Sequence, residues 1–176
     1  MAKGCFCLVV GLFLCLPFVG FAAGRIINDI LFDRNLGGYL KRAADANSVE
    51  LAVQELEIAV KYMEANRITE GYTSIIYTTP DEDVGFWYSN IKVSLDQLKA
   101  LPAKAAQGEK DMALLKLRQT LLDHNGGKEV ITCPAGISVF PYNTIWAIFG
   151  CLAIFLALAS LVVLVIGLEI SIDLFI

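Results

Sequence analysis

The chain has 176 residues, of which 56% are hydrophobic and 18% charged, and its mean hydropathy is +0.61. A soluble domain is usually about 45–50% apolar and about 25% charged, so these values exclude an ordinary water-soluble protein. The net charge is −4 and the longest basic cluster is Lys41-Arg42, which argues against a nucleic-acid partner.

The excess of apolar residues lies in two stretches without a charged residue, 4–24 and 130–168. About 20 apolar residues in a helix are enough to cross about 30 Å of hydrocarbon, so we predict two transmembrane helices in a lipid bilayer. The chain then divides into an N-terminal transmembrane signal anchor (1–24), a helical domain (25–127), an extended linker (128–143), a second transmembrane helix (144–168) and a short C-terminal tail (169–176).

The first apolar stretch also has features of a secretory signal. Lys3 precedes it, and Gly20 and Ala22 have the spacing that signal peptidase requires. Its apolar run is longer than the roughly 7–15 residues of a cleaved signal, so we expect an uncleaved anchor, with cleavage after Ala22 as the alternative. The positive-inside rule applied to Lys3 predicts an extracytoplasmic helical domain, whereas Arg25 favours the opposite orientation.

Four helices are predicted between the spans from the helical spacing of apolar residues, over residues 25–46, 47–66, 79–102 and 107–124. Gly37-Gly38 weakens the first of them. Asn47 or Ser48 caps the second, which is the most regular amphipathic helix of the chain. Thr79-Pro80 starts the third, and Asn125-Gly126-Gly127 ends the fourth.

Residues 128–143 differ from the helical segments, because they contain β-branched residues and two prolines. This composition predicts an extended segment or a short pair of strands before the second span. Tyr142 and Trp146 then mark the boundary between lipid and water. The expected fold is therefore an all-α membrane protein, with two transmembrane helices flanking an extramembrane bundle of three or four helices.

Small residues recur at every third or fourth position along one face of each span. In lipid, helix association depends on close backbone approach, which small residues permit. We expect these faces to pack, either against each other or against a second copy of the chain. The residues expected at the contact are Gly11 and Cys15 in the first span, and Gly150, Ala153, Ala157, Ser160 and Gly167 in the second.

The strongest candidate for a binding site is a segment in which aromatic residues stand beside acidic ones. Such a cluster could hold a cationic ligand or form a protein interface. In the alternative interpretation the acids only begin a helix and the aromatics only fill a core. Three consecutive aromatics cannot all face the core of one helix, so at least one is expected to be exposed. The candidate residues are Tyr72, Tyr77, Asp81, Glu82, Asp83, Phe86, Trp87 and Tyr88.

The sequence offers no pattern for catalysis or for a cofactor. His124 is the only histidine and Cys133 the only cysteine in the polar region, which is too few for a standard zinc site. Gly126-Gly127-Lys128 lacks the rest of a phosphate-binding loop. Cys133 is expected to be a buried thiol or, alternatively, to bridge two chains. We therefore expect a protein that is not an enzyme and holds no cofactor.

The function expected from these features is that of a membrane-anchored interaction or scaffold subunit. It would associate with itself, through the transmembrane helices and the helical domain, or with a membrane-protein partner. The alternative is an ectodomain that senses a ligand or stress and passes its output to a partner protein. The predicted tail of about eight residues offers no cytoplasmic output domain, which counts against a self-contained receptor.

Overall fold

The computed structural model describes the backbone of residues 2–172 and the side chains of residues 6–171. The last four residues of the predicted tail, 173–176, lie outside this range. The chain is 74% helical. Its elements are α1 (Ala2–Phe32), a π-helical turn (Asp33–Gly37), α2 (Gly38–Ala44), α3 (Val49–Ala65), α4 (Val84–Ala100), α5 (Gln107–Leu121), β1 (Leu122–Asn125), β2 (Lys128–Ile131) and α6 (Asn143–Ile172).

The chain divides into two compact units. The hairpin unit consists of α1 up to Asn28 and of α6 from Thr144 onwards, and the helical unit consists of residues 29–143. Both long helices are long and apolar enough to cross a membrane. At 1.5 Å per residue, α1 and α6 are each about 45 Å long, which exceeds the roughly 30 Å of a hydrocarbon core.

The hairpin unit is an antiparallel pair of helices. Gly11 lies against Leu164 near one end of the pair, and Gly24 lies against Trp146 near the other. Helix α1 continues without a break through Pro17 and through Arg25, where the predicted span ended and the next helix began. The first two predicted helices are thus one continuous element as far as Phe32.

The helical unit has a single core to which α2, α3, α4 and α5 all contribute. Helix α3 packs on α2 and α4, and α5 packs on all three. The core face of α3 consists of Ala52, Leu56, Ala59 and Met63, none of which is exposed. Their spacing of four, three and four residues keeps them on one face of the helix, as the amphipathic pattern predicted.

The predicted end of the fourth helix is wrong by three residues. Helix α5 ends at Leu121, and residues 122–125 form β1, which pairs antiparallel with β2. Gly126 and Gly127 both have a positive φ, +57° and +80°. Two such residues make the type I′ turn of a tight hairpin, so the glycines join two strands instead of capping a helix. His124 consequently lies in a strand and not at a helix terminus.

The predicted start of the third helix is also corrected. Residues 80–82 form a short 3₁₀ turn, and α4 begins at Val84 with Asp83 as its N-cap. The Asp83 side chain accepts a hydrogen bond from the Phe86 amide at 3.0 Å, which satisfies one of the free donors of the first turn. Thr79, the predicted cap, instead donates its hydroxyl to Glu82 at 2.6 Å.

Candidate functional site

The segment between α3 and α4 contains a loop, residues 73–82, whose two ends are tied together. Tyr72 and Asp83 form an isolated antiparallel bridge. The Val84 amide donates to the Gly71 carbonyl at 2.9 Å, and the Thr73 amide donates to the Glu82 carbonyl at 3.1 Å. The segment therefore leaves the packed helices and returns to them at one point, in the manner of an Ω-loop.

The tip of this loop and the start of α4 expose large apolar side chains. Ile76 is 94% exposed and Tyr77 is 74% exposed, and Phe86 on the first turn of α4 is 64% exposed. Clusters of exposed apolar side chains in soluble domains mark interaction sites more often than single exposed residues do. We call this surface the loop patch; it consists of Tyr72, Ile75, Ile76, Tyr77 and Phe86.

The three consecutive aromatics of α4 have different roles. Trp87 belongs to the core, and its indole Nε1 donates to the Thr132 carbonyl at 2.7 Å. Tyr88 is half-buried and donates its hydroxyl to Glu64 at 2.7 Å. Phe86 points to solvent. Successive helical residues differ by about 100° in direction, which is why Trp87 lies in the core, Tyr88 packs at its edge and Phe86 faces solvent.

Tyr88 is part of a surface cluster that links α4 to α3. Lys92 lies 2.7 Å from the same Glu64 oxygen that accepts from Tyr88. The hydrogen bond from Lys92, and after it the one from Tyr88, lowers the pKa of Glu64. Burial, followed by the hydrogen bond to Glu64, raises the pKa of Tyr88, and Glu64 raises the pKa of Lys92. These are the properties of a structural ion pair, which separates Tyr88 from the loop patch.

The three predicted acids also divide by role. Asp83 caps α4, and Glu82 is held by Thr79, so both have structural roles in fixing the loop. Asp81 is exposed on the 3₁₀ turn. The acids therefore give the surroundings of the loop patch a negative charge without forming a cluster that points at one ligand.

Sequence reasoning did not select Ile75 and Ile76, which are the centre of the loop patch. The run Thr73–Tyr77 has a β-prone composition, which does not by itself indicate exposure, because a strand commonly buries every second side chain. Their position between Gly71 and Pro80 could have identified them. No nearby segment has a strand-like composition, so the run has no strand to pair with and its side chains are left exposed.

The second predicted set, in the hairpin unit, lies at a close contact between α1 and α6. Ser160 is fully buried and donates its hydroxyl to the Gly11 carbonyl at 2.7 Å. The Cys15 sulfur lies 2.9 Å from the same hydroxyl oxygen. Because the hydroxyl hydrogen points to Gly11, the Cys15 thiol is the donor in this second contact.

The other small residues of the hairpin unit allow the helices to approach closely. A Cβ atom on Gly11 would lie 2.6 Å from the Leu164 side chain, and one on Gly150 would lie 2.8 Å from the Phe21 ring. Ala153 is fully buried, Gly167 is buried and Ala157 is half-buried. The predicted small-residue faces of the two spans thus contact each other within one chain.

Among the described residues, no three His, Cys, Asp or Glu side chains lie close enough together to hold a metal ion. Comparison of the chain with protein families, with curated proteins and with solved structures found no match.

Proposed function

We propose that this chain is a two-pass integral membrane protein that acts as a non-enzymatic interaction subunit. Its helical unit would form an extracytoplasmic bundle and bind a protein partner through the loop patch. The observation that carries this proposal is the exposure of Ile76, Tyr77 and Phe86 at a loop with fixed ends.

The energetics of the loop patch favour an interaction role. Covering apolar surface gains roughly 25 cal/mol per Å², so a partner that covers two isoleucines and three aromatics gains substantial free energy. The hydrogen bonds at the loop base, from Thr73 to Glu82 and from Val84 to Gly71, already restrict the loop. Restriction before binding lowers the entropy cost of association.

The charge around the loop patch indicates which partner fits it. Asp81 and Glu82 lie on the turn that closes the loop, so a partner with an apolar centre and neighbouring lysines or arginines would be complementary. The anionic headgroups of a membrane surface would be repelled by the same acids. A second copy of the chain, docked about a twofold axis, would bring these acids close to each other.

Self-association through the spans is the alternative within this proposal. The small-residue faces that suggested it contact each other inside the hairpin unit, so their packing requires no second copy. We therefore favour a different membrane protein, with a basic and apolar surface, as the partner.

The test is extraction of the chain from its native membrane in a mild detergent, followed by measurement of the mass of the intact particle. The wild-type chain should be recovered with a second protein in a fixed ratio. Ile76→Lys should be recovered alone, because a cation placed among the partner's basic residues at the centre of the interface is costly. Met112→Lys is the matched control, since Met112 is 70% exposed but lies on α5.

Two outcomes would contradict the proposal. A wild-type chain recovered as a monomer without a second protein would remove the interaction role. A homo-oligomer that survives Ile76→Lys would assign association to another surface, and would support self-association through the outer faces of the spans.

A further inference from the structure

A second exposed apolar surface lies on α1, after the charge-free stretch that ends at Gly24. Its four large side chains have exposed fractions from 42% to 59%. Apolar side chains exposed together at this density require a covering, which is either protein or lipid. We call this surface the isoleucine stripe; it consists of Ile26, Ile27, Ile30 and Leu31.

The isoleucine stripe continues the outward face of the first span. An α-helix returns to the same direction after five turns, which take about 18 residues. Ile27 stands at this distance from Val9, and Ile30 stands at the same distance from Leu12. Val9 and Leu12 are 59% and 64% exposed. Because α1 is one uninterrupted α-helix, the stripe points in the same direction as the outward residues of the span.

The charged residues of this segment start from the other side of α1. Asp29 is five turns after Gly11, which lies against Leu164 of α6, so Asp29 starts from the face that α1 turns towards α6. Arg25 differs from Asp29 by only about 40° in direction. A helix of a water-soluble domain turns its charged face to water and its apolar face to protein, which is the reverse of this arrangement. Charged residues in a membrane segment instead face the interior of the helix bundle.

The stripe lies where the hairpin unit ends. Gly24 is in contact with Trp146, and tryptophan is typical of the boundary between lipid and water. In this antiparallel pair α6 begins at Asn143, three residues before Trp146. Asp29 therefore reaches past the first residue of α6, which explains why its side chain remains exposed.

The stripe also gives the two helices apolar surfaces of equal length. Exposed apolar side chains on α1 run from Phe6 to Leu31, and the charge-free part of α6 comprises residues 143–168. At 1.5 Å per residue both surfaces are about 39 Å long, which lies within the roughly 40–45 Å of a bilayer with its headgroup regions. Without the stripe, the surface of α1 would be about 10 Å shorter than that of α6.

From this geometry we infer that the isoleucine stripe is embedded in the bilayer, at the boundary between acyl chains and headgroups, and that lipid covers it. The inference rests on the two-pass topology proposed above. It adds that the lipid-facing surface of α1 extends past Arg25 to Leu31, directly before the exposed pair Asp33 and Arg34.

The test is tryptophan fluorescence of the full-length chain in phosphatidylcholine vesicles, in a background of Trp87→Phe and Trp146→Phe. Ile27→Trp then places a single reporter on the stripe. Lipids brominated near the headgroup end of the acyl chain quench a tryptophan that they contact, whereas iodide, present on both sides of the bilayer, quenches from water. We expect strong quenching of Ile27→Trp by bromolipid, and an iodide quenching constant several-fold below that of Met112→Trp.

Three further variants complete the test. Leu12→Trp is the control in lipid, because it has the direction of the stripe but lies within the charge-free stretch. Met112→Trp is the control in water, since Met112 is 70% exposed and lies on α5. Ile30→Trp is a second reporter on the stripe, one turn further along α1, and keeps the test decisive if Ile27→Trp does not fold.

The outcomes separate this inference from the topology on which it rests. If iodide quenches the stripe reporters as strongly as Met112→Trp while Leu12→Trp is quenched only by bromolipid, the inference is wrong and the two-pass topology stands. Stripe reporters protected from both quenchers would also overturn the inference, because protein would then cover the stripe. Quenching of Leu12→Trp by iodide would contradict the topology, and the inference with it.

Discussion

Ser160 illustrates how one polar residue can be used inside a span. Its hydroxyl is fully buried and bonds both the Gly11 carbonyl and the Cys15 thiol, so it joins α1 to α6. The contact lies beside Gly11, which has no side chain to keep the two helices apart. Hydrogen bonds between transmembrane helices are worth only about 0.6 kcal/mol on average. Close packing of the two helices at Gly11 therefore contributes more to the stability of the pair than this hydrogen bond does. Ser160 fixes the register of α1 against α6.

Cys133 gives a prediction at the residue scale. Burial and, second, the charge of Asp33 raise the pKa of the Cys133 thiol, because both disfavour the thiolate. The pH midpoint of Cys133 alkylation, followed by mass spectrometry of its peptide, should lie above the roughly 8.5 of an ordinary thiol. Asp33→Asn should lower the midpoint part of the way, since burial remains. Below the raised pKa the thiol is protonated, so Cys133 should resist oxidation at neutral pH.

The control for Cys133 is the same titration in denaturant, which should restore an ordinary midpoint. A midpoint in the folded chain at or below the denatured value would contradict the prediction. The midpoint is the decisive quantity, because restricted access lowers the rate of alkylation at every pH.

At the scale of elements, Gly11 and Gly20 provide a matched pair within α1. A Cβ on Gly11 would lie 2.6 Å from Leu164, whereas nothing lies within 4 Å of one on Gly20. Gly11→Leu should force the helices apart and destabilise the hairpin by about 1–3 kcal/mol, as overpacking does. Gly20→Leu should be neutral or slightly stabilising, because leucine favours the helix more than glycine does.

The hairpin prediction is measured as the SDS concentration that separates the two helices in mixed micelles. Trp146 fluorescence reports the separation, since its ring lies 6.0 Å from that of Phe21. Both variants carry Trp87→Phe to remove the second tryptophan. Equal midpoints for Gly11→Leu and Gly20→Leu would show that α1 and α6 do not approach closely at Gly11.

Helices of several turns could be predicted from the sequence. Elements that depend on contacts between residues distant in the sequence could not. The apolar spacing of α3 spans four turns, and the helix begins two residues after the predicted start at 47 and ends one residue before the predicted end at 66. The Asn125-Gly126-Gly127 sequence suits either a helix end or a hairpin turn. The choice depends on pairing with β2 and on the Thr132 amide, which donates to the Leu121 carbonyl at 2.8 Å. Periodicity within the helix does not contain that information.

The candidate site was also predictable only in part. The sequence identified the aromatic and acidic segment, and helix geometry required one exposed aromatic. Which one is exposed depends on the phase of α4, which Asp83 sets by capping the helix four residues later than Thr79 would have done. The exposure of Ile76 depends on the absence of any covering segment among the described residues, a property of the whole helical unit.

At the scale of the molecule, the two units differ in the apolar surface that they expose. The hairpin unit exposes Leu, Ile, Val and Phe along both helices, which suits the contact with lipid that the proposed spans would make. In the helical unit the core side chains of α2 to α5 are buried, and Ile76, at 94%, is the most exposed large apolar side chain among the described residues. Away from α1, an exposed isoleucine of the helical unit therefore suggests a protein partner, whereas in the hairpin unit it suggests only contact with lipid.

Orientation is the last prediction at this scale. Lys3 precedes the first span, and the positive-inside rule places it in the cytoplasm, which puts the helical unit outside. In intact cells, Met112→Cys should react with a membrane-impermeant maleimide, because that side chain is 70% exposed and lies on α5, outside the loop patch that the proposed partner would cover. The wild-type chain is the control, since Cys133 is partly buried and Cys5, Cys7, Cys15 and Cys151 lie in the predicted spans. Labelling of Met112→Cys only after permeabilisation would place the helical unit in the cytoplasm, and would mean that Arg25, directly after the charge-free stretch, determines the orientation.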